Sequence, residues 1–351
     1  MVASPLANPT ATREMLERFG LATKHRLGQN FLVDDHVIAH ILELAKLSED
    51  TRVVEVGPGI GTLTLGMLPH AASVVSIEAD RTLEPVLADL AHEFASFSFV
   101  MGDALKVSWD EVCDVSAGAN AEGASSAGAD AEGASDVGTA GASGEGTAEK
   151  DAAPVAATAA ANEPNILVAN LPYNVAATII LKYLSEHPAL DAAVVMVQAE
   201  VADRICAAPG TKAYGAYTAK LALYGRVTGR FEVPPTCFMP APHVNSAVVR
   251  IDRAQTCGEA GEPLDAAALE RTCAVIDAAF AQRRKTIRNS MAARGFDKAA
   301  LDAAFATCDI APTTRAETLA AADFVHLSSA LDAADAIPGD LPTRFSAGDA
   351  K

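Results

Sequence analysis

Residues 52–61 read RVVEVGPGIG, a short apolar strand pattern that runs directly into a glycine-rich turn. A helix pattern follows, with apolar residues at 63, 65, 67 and 68. The order of strand, glycine loop and helix is typical of a nucleotide-binding α/β fold. The glycines at 57, 59 and 61 have the spacing Gly-x-Gly-x-Gly, whereas dinucleotide-binding loops have Gly-x-Gly-x-x-Gly. The loop therefore lacks the spacing that brings a pyrophosphate onto a helix N-terminus.

Acidic residues follow the next two strand patterns. Residues 73–77 form the second strand and end at Glu78, which lies 21 positions after Gly57, close to the roughly 20 expected for an acid that reaches ribose hydroxyls. Residues 98–101 form the third and deliver Asp103 to the same edge, although a helix N-cap would explain Asp103 equally well. S-adenosylmethionine needs glycines that allow a close backbone approach, an acid that binds its ribose and an acid that binds its adenine amine. Its sulfonium is already an activated methyl donor, so no metal is required and no metal site is predicted.

A fourth strand pattern, residues 165–169, leads into NLPYN at 170–174. The exocyclic amine of adenine is a poor nucleophile because its lone pair is delocalised into the ring. The Asn170 side-chain oxygen and a backbone carbonyl near Leu171 can each accept one of its N–H groups and free that lone pair. Pro172 stiffens the turn, and Tyr173 offers a face on which a base stacks. Asn-x-Pro-Tyr alone is more often a plain strand-ending turn, so the neighbouring motifs decide its meaning.

The chain of 351 residues carries a net charge of −18, which on its face argues against nucleic acid as a partner. Much of this charge is local, because residues 114–163 contain nine acidic residues and one lysine. Basic residues cluster at 13–26 and again at 283–298, where Arg283, Arg284, Lys285 and Arg288 form a dense run. Such a run is usually a solvated helix face, but on an acidic protein it favours contact with phosphates.

Six motifs occur in order along the chain: KHRLGQNFL at 24–32, E-x-G-P-G-x-G-x-L-T at 55–64, GDAL at 102–105, NLPYN at 170–174, P-x-x-F-x-P-x-P-x-V-x-S-A-V-V at 235–249 and F-x-x-R-R-K-T-x-R-N at 280–289. Together they resemble the ribosomal RNA adenine N6-dimethyltransferases, and among these the bacterial small-subunit (16S) branch. The resemblance spans most of residues 24–330. It implies that two adjacent adenosines in the hairpin loop near the 3′ end of 16S rRNA are each methylated twice, with S-adenosylmethionine as the donor.

The resemblance also implies which residues form the site. Cofactor contacts fall on Asn30, Leu32, Gly57, Gly59, Glu78, Asp103 and Asn170, and the catalytic motif comprises Asn170, Leu171, Pro172 and Tyr173. Tyr173 and Phe238 would form the two faces of a slot for a flipped adenine, although a lone aromatic is more often a core residue. Two features depart from the family pattern: Ala79 stands where a branched apolar residue is usual, and residues 114–163 have no counterpart.

The organisation expected is an α/β fold, namely a Rossmann-like methyltransferase sheet with a smaller C-terminal helical domain. We expect a loose leader at 1–23, the methyltransferase domain at 24–257, a helical RNA-binding domain at 258–334 and a loose tail at 335–351. Residues 114–163 are rich in Ala and Gly and lack aromatics, which predicts a disordered acidic insertion. The six cysteines lack metal-binding spacing, and the sequence shows no signal-peptide pattern and no long apolar run. These features predict a cytoplasmic protein with reduced cysteines.

Three other classes compete with this interpretation. The first is the 23S rRNA adenine methyltransferase of the antibiotic-resistance type, which performs the same chemistry on another RNA. The second is a non-catalytic ribosome-assembly factor, which the intact motif at 170–173 and the glycine loop oppose. The third is a DNA adenine methyltransferase, whose motif more often begins with Asp and whose chain usually carries a target-recognition domain. The preferred partner is 16S rRNA in the small subunit or its precursor, and we expect a monomer.

Overall fold

The computed structural model of the protein describes residues 2–21, 30–126, 163–339 and 341. Within these ranges the strands are β1 (Phe31–Leu32), β2 (Arg52–Val56), β3 (Ser73–Glu78), β4 (Phe97–Met101), β5 (Ile166–Asn170), β6 (Ala192–Gln198), β7 (Gly225–Val233), β8 (Phe238–Met239) and β9 (Ser246–Arg253). The helices are α1 (Pro9–Arg18), α2 (Asp35–Ala45), α3 (Thr62–Met67), α4 (Glu84–Glu93), α5 (Trp109–Ser126), α6 (Ala176–Glu186), α7 (Ala199–Ile205), α8 (Ala216–Leu221), α9 (Ala266–Phe280), α10 (Ile287–Ala292), α11 (Lys298–Thr307) and α12 (Ala321–Ala333).

Seven of these strands form one sheet in the order β4-β3-β2-β5-β6-β9-β7, which confirms the predicted α/β class. Strands β2 to β6 run parallel, and β9 is antiparallel to both of its neighbours. The central strands read as continuous apolar runs because helices cover both faces of a parallel sheet. The direction of strand order reverses between β2 and β5, and ligands of open α/β sheets bind at the carboxyl ends of the strands beside such a reversal.

Two apolar clusters flank the sheet. One contains Val53 and Val74 from the sheet together with Ile38 of α2 and Leu87 of α4. The other starts at the opposite face and runs without interruption into the C-terminal helices, including Ile276 of α9 and Phe324 of α12. An ion pair between the buried Lys220 of α8 and the partly exposed Asp277 of α9, at 2.8 Å, lies in the same region. The division at residue 257 stays a prediction, because apolar packing is continuous across it.

The predicted loose leader is wrong for the part of it that the structure describes. Helix α1 begins at Pro9 with Asn8 as its N-cap, the Asn8 side chain accepting from the Ala11 N–H at 2.8 Å. Asn before Pro is a helix-start signal, since Pro is well suited to the first helical position. Leu6 and Leu16 are buried in a small cluster with Ile60 of the glycine loop. Pro9 therefore opens an ordered helix within the segment that was predicted to be a loose leader.

The predicted disordered insertion and tail also need correction at their edges. Helix α5 extends to Ser126, so the first part of the insertion, residues 114–126, is helical, in keeping with the high helix propensity of Ala. Residues 127–162 lie outside the described residues, as do 340 and 342–351. At the start of the predicted tail, Ala336 and Ile337 pack against the main core. No helix of the described ranges is long and apolar enough to cross a membrane.

Candidate active site

A cavity of about 580 Å³ opens at the carboxyl ends of β2, β3, β4 and β5, within the range of roughly 300–1,000 Å³ usual for ligand pockets. It brings together every sequence-predicted cofactor and motif residue: Asn30, Leu32, Gly57, Gly59, Glu78, Asp103, Asn170, Leu171, Pro172 and Tyr173. Phe31, Glu55 and Thr62 also line it, although no role in the site was predicted for them from the sequence. The roles of these residues stay predictions, but their common location follows from the parallel sheet.

The glycine loop passes close to its neighbours with backbone torsions that favour glycine. Gly59 has φ +61° and Gly61 has φ +84°, in the left-handed region. A Cβ on Gly59 would lie 3.2 Å from the Phe31 ring, and one on Gly61 would lie 2.4 Å from Leu90 Cδ1 of α4. These positions therefore cannot carry a side chain without a shift, and the loop backbone remains open toward the cavity.

Glu78 ties the end of β3 to this loop. Its Oε2 accepts from the Gly59 N–H at 3.3 Å, and its Oε1 accepts from the Asp80 N–H at 2.8 Å. Burial raises the pKa of Glu78, while the two backbone N–H groups lower it. The carboxylate thus holds the loop in place from within the cavity.

Glu55 is a second acid in the cavity wall and is only 1% exposed. Its Oε2 accepts from the Thr64 hydroxyl at 2.6 Å and from the Ser76 hydroxyl at 2.7 Å. The pKa of Glu55 is raised to about 7, chiefly by burial and to a smaller extent by the charge of Glu78, while the hydrogen bonds from Thr64 and Ser76 lower it. The sequence feature that could have identified Glu55 is an acid inside the apolar run of β2. A buried acid with a shifted pKa in a cleft is a candidate site residue.

Asp103 caps a turn and not a helix. Its Oδ1 accepts from the Leu105 N–H at 3.0 Å, and α5 begins only at Trp109. Lys106 Nζ lies 3.5 Å from Asp103 Oδ2, and both side chains are largely exposed. The carboxylate therefore stands at the outer edge of the cavity, after β4.

Asn170 ends β5 with its side chain at the cavity. Its Nδ2 donates to the Asn30 carbonyl oxygen at 3.5 Å, which leaves Oδ1 as the acceptor atom of the amide. The Val175 N–H donates to the Pro172 carbonyl oxygen at 3.1 Å and closes the turn that follows. The motif is therefore the strand-ending turn that its sequence predicts, placed beside the acids of β3 and β4.

The two predicted base-stacking aromatics differ in position. Tyr173 is half-buried at the cavity, and its hydroxyl lies 2.6 Å from the Ser246 hydroxyl at the start of β9. Burial raises the pKa of the Tyr173 phenol, so it stays neutral. Phe238 is only 4% exposed, pairs with Leu32 in the β1–β8 ladder and is absent from the cavity wall. In this structure Phe238 therefore does not offer an exposed face to a flipped adenine, because its pairing in the short β1–β8 ladder buries the ring in the core.

The basic run lies mostly in the turn between α9 and α10, and not on a helix face. Residues 283–285 are exposed, and Arg283 Nη2 donates to the Lys212 carbonyl oxygen at 2.6 Å, which brings the exposed Lys212 beside the turn. Arg288 in α10 makes a two-pronged pair with Asp302, at 2.5 and 2.7 Å. Phosphate contact by Arg288 therefore stays a prediction, and a phosphate would compete with Asp302 for the guanidinium. Among the described residues, Arg284 and Lys285 have no such partner.

A family model described as "Ribosomal RNA adenine dimethylase" matches residues 20–333. The chain is 37% identical over 329 residues to the ribosomal RNA small subunit methyltransferase A of Leifsonia xyli subsp. xyli, covering 92% of this chain and 98% of that protein. It is 35% identical over 328 residues to the protein of the same name from Thermobifida fusca, with 92% and 95% covered.

Two solved structures share the fold. A dimethyladenosine transferase from Plasmodium falciparum has a TM-score of 0.63 at 20% identity, covering 87% of this chain and 98% of that one. The 23S rRNA methyltransferase ErmE has a TM-score of 0.54 at 23% identity, covering 86% of this chain and all of that one, 100%. At these identities the likeness concerns the fold.

Proposed function

We propose that this chain dimethylates N6 of two adjacent adenosines in the 3′-terminal hairpin loop of 16S rRNA. The chain belongs to the ribosomal RNA adenine dimethylase family and is a methyltransferase, which is the basis of the proposal. The donor is S-adenosylmethionine, and the substrate is the small ribosomal subunit or its precursor in the cytoplasm. The protein acts as a monomer. The observation that carries the proposal is the position of Asn170, whose acceptor oxygen shares one cavity with Glu78 and Asp103.

The donor set of the cavity fits S-adenosylmethionine. Glu78 at the end of β3 accepts from ribose hydroxyls, and Asp103 after β4 accepts from the adenine amine. The glycine loop after β2, on the other side of Glu78 from Asp103, leaves space for a close backbone approach. When bound, the cofactor supplies a methyl group that is already activated on a sulfonium.

The residues at the end of β5 prepare the target amine. Asn170 Oδ1 accepts one N–H of the exocyclic amine, since its Nδ2 is engaged by the Asn30 carbonyl. A main-chain carbonyl of the same turn accepts the other, so the nitrogen lone pair leaves conjugation with the ring and points at the methyl group. Such acceptors favour the positive charge that develops on the nitrogen, which makes them stronger in the transition state than in the ground state.

Tyr173 holds the flipped base by stacking. Its ring is fixed because the hydroxyl is paired with Ser246 at 2.6 Å, so little side-chain entropy is lost when the base arrives. Base–aromatic stacking contributes about 1–3 kcal/mol. Phe238 can contact the other face of the base only if the β1–β8 ladder opens when RNA binds.

The basic turn, residues 283–285, provides the contact with RNA phosphates. Arg284 and Lys285 are exposed, and they give this acidic protein a local positive charge. RNA phosphates respond mainly to nearby charges, because charges more than about 8–10 Å away are screened at physiological salt. Lys212 adds a cation beside them. In this arrangement Arg288 supports α10 through Asp302 and does not bind phosphate.

The small-subunit substrate is favoured over the 23S alternative by the names of the relatives at 35–37% identity. The test is transfer of a labelled methyl group from S-adenosylmethionine to small-subunit particles, 23S rRNA and duplex DNA in parallel. We expect label in the small-subunit RNA. Label confined to 23S rRNA or DNA would contradict the proposal, and no transfer to any of the three would favour the non-catalytic assembly factor.

A further inference from the structure

The N-terminal segment, residues 2–18, packs behind the wall of the cavity, although the motifs that indicate the family begin at residue 24 and the family model matches only from residue 20. Leu16 of α1 is 7% exposed and shares an apolar cluster with Phe31, Ile60 and Leu83. Phe31 and Leu83 also line the cavity, and Ile60 belongs to the glycine loop. The segment therefore forms a second layer behind residues that line the cavity.

Phe31 connects this cluster to the glycine loop. A Cβ on Gly59 would lie 3.2 Å from the Phe31 ring, so the ring lies directly against the loop backbone. Phe31 belongs to a ladder of only two residue pairs, in which it pairs with Met239, so few main-chain hydrogen bonds hold it. Side-chain packing in the cluster that contains Leu16 is therefore needed to fix the ring against the loop.

A second attachment holds the end of the loop. Ser4 is 1% exposed, and its Oγ donates to the Thr62 carbonyl oxygen at 2.7 Å. The N–H groups of Ala3 and Ser4 both donate to Asp35 Oδ1, at 2.8 Å each, which fixes Ser4 against the start of α2. Since Thr62 follows Gly61 directly and begins α3, the Ser4 contact fixes the main chain where the loop ends. This polar attachment does not depend on the apolar cluster.

We infer that residues 2–18 position the glycine loop for cofactor binding, with Leu16 and Ser4 as the positioning residues. The inference rests on the proposed function, in which this loop approaches S-adenosylmethionine. Neither side chain lines the cavity, so both act through Phe31 and the Thr62 main chain. A loop that is in its binding conformation only a tenth of the time binds its ligand about tenfold more weakly. The N-terminal segment thus increases the affinity for the methyl donor without touching it.

The alternative is that the segment only covers apolar surface. Losing such cover would lower the melting temperature without changing the affinity of the folded protein for a ligand. A control must therefore remove the same atoms elsewhere. Leu331 of α12 is fully buried in the main core and lies outside the cavity wall. Leu331→Ala is the matched control for Leu16→Ala.

Calorimetry, at a temperature well below the melting point of every variant, measures binding of S-adenosylmethionine. For Leu16→Ala we expect the affinity to fall about tenfold, and the KM for S-adenosylmethionine to rise with little change in kcat. Leu16→Met keeps the volume of the side chain and should bind like the parent protein. Leu331→Ala should melt at a lower temperature than the parent protein and still bind S-adenosylmethionine like it.

Ser4→Ala tests the second attachment at a smaller risk to folding. It should also weaken S-adenosylmethionine binding, whereas Ser290→Ala, which removes a buried hydroxyl that donates to the Ala278 carbonyl oxygen, should not. Parental affinity in Leu16→Ala or Ser4→Ala would overturn the role of that residue, and parental affinity in both would overturn the inference. An equal loss of affinity in Leu331→Ala would overturn it as well. If the parent protein itself bound no S-adenosylmethionine, the proposed function would fail instead.

Discussion

Replacing Glu55 with Gln should change how the stability of the protein depends on pH. Burial raises the pKa of Glu55 from its ordinary value of 4.5 to about 7, so the folded protein holds a proton that the unfolded chain has released. The stabilisation from this proton is complete below about pH 4.5 and is lost as pH rises through about 7. At about 1.4 kcal/mol per pKa unit, the loss over the interval amounts to about 3 kcal/mol.

Glu55→Gln is a suitable perturbation because Thr64 and Ser76 both donate to the same carboxylate oxygen, Oε2. The amide oxygen of Gln can accept both bonds, and the side chain stays neutral at every pH. We expect the variant to resemble the parent protein near pH 5 and to gain stability relative to it, by about 3 kcal/mol, near pH 8. The exposed Glu93→Gln on α4 serves as the control and should follow the parent at every pH.

The assay is urea unfolding of the three proteins at a series of pH values between about 5 and 8, with the free energies compared at each pH. Subtracting the parent curve removes the contributions of titrating groups that do not interact with Glu55. A difference between Glu55→Gln and the parent that does not vary with pH would refute the reasoning. So would a variant that becomes less stable than the parent as pH rises.

Three further predictions concern the proposed roles of site residues. Asn170→Ala should lower methyl transfer on the order of 100-fold or more with little change in unfolding free energy, because it removes an acceptor for the developing charge; near-normal single-turnover rates would contradict this role. Glu78→Ala should weaken S-adenosylmethionine binding in calorimetry while RNA affinity stays the same; unchanged cofactor affinity would place the ribose elsewhere. Changing both Arg284 and Lys285 to Gln should lower the logarithmic salt slope of RNA binding by roughly 1.4–1.8 units. Arg288→Gln should leave the slope nearly unchanged, because Asp302 already binds that side chain. A parental slope in the double variant would refute the phosphate contacts.

The sheet and the grouping of the site residues could be predicted from the sequence because both depend on local patterns. Glu78 ends one apolar run and Asn170 ends another, and parallel strands bring their carboxyl ends to one edge. Once the runs are identified as neighbouring parallel strands, the common cavity follows without knowledge of the loops.

Features that depend on contacts between distant segments could not be predicted in this way. Nothing near Arg288 in the sequence indicates that Asp302, in the next helix, takes its guanidinium. The burial of Phe238 results from pairing with Leu32, which lies more than 200 positions earlier.

The most direct test of the proposed function is the identification of the methylated nucleosides. Small-subunit particles from cells that lack the enzyme are incubated with the protein and S-adenosylmethionine, and the 16S rRNA is digested and analysed by mass spectrometry, with Asn170→Ala as the control. We expect N6,N6-dimethyladenosine at two adjacent positions of the 3′-terminal hairpin loop with the parent protein and almost none with the variant. Dimethyladenosine elsewhere, or equal amounts with both proteins, would contradict the proposed function.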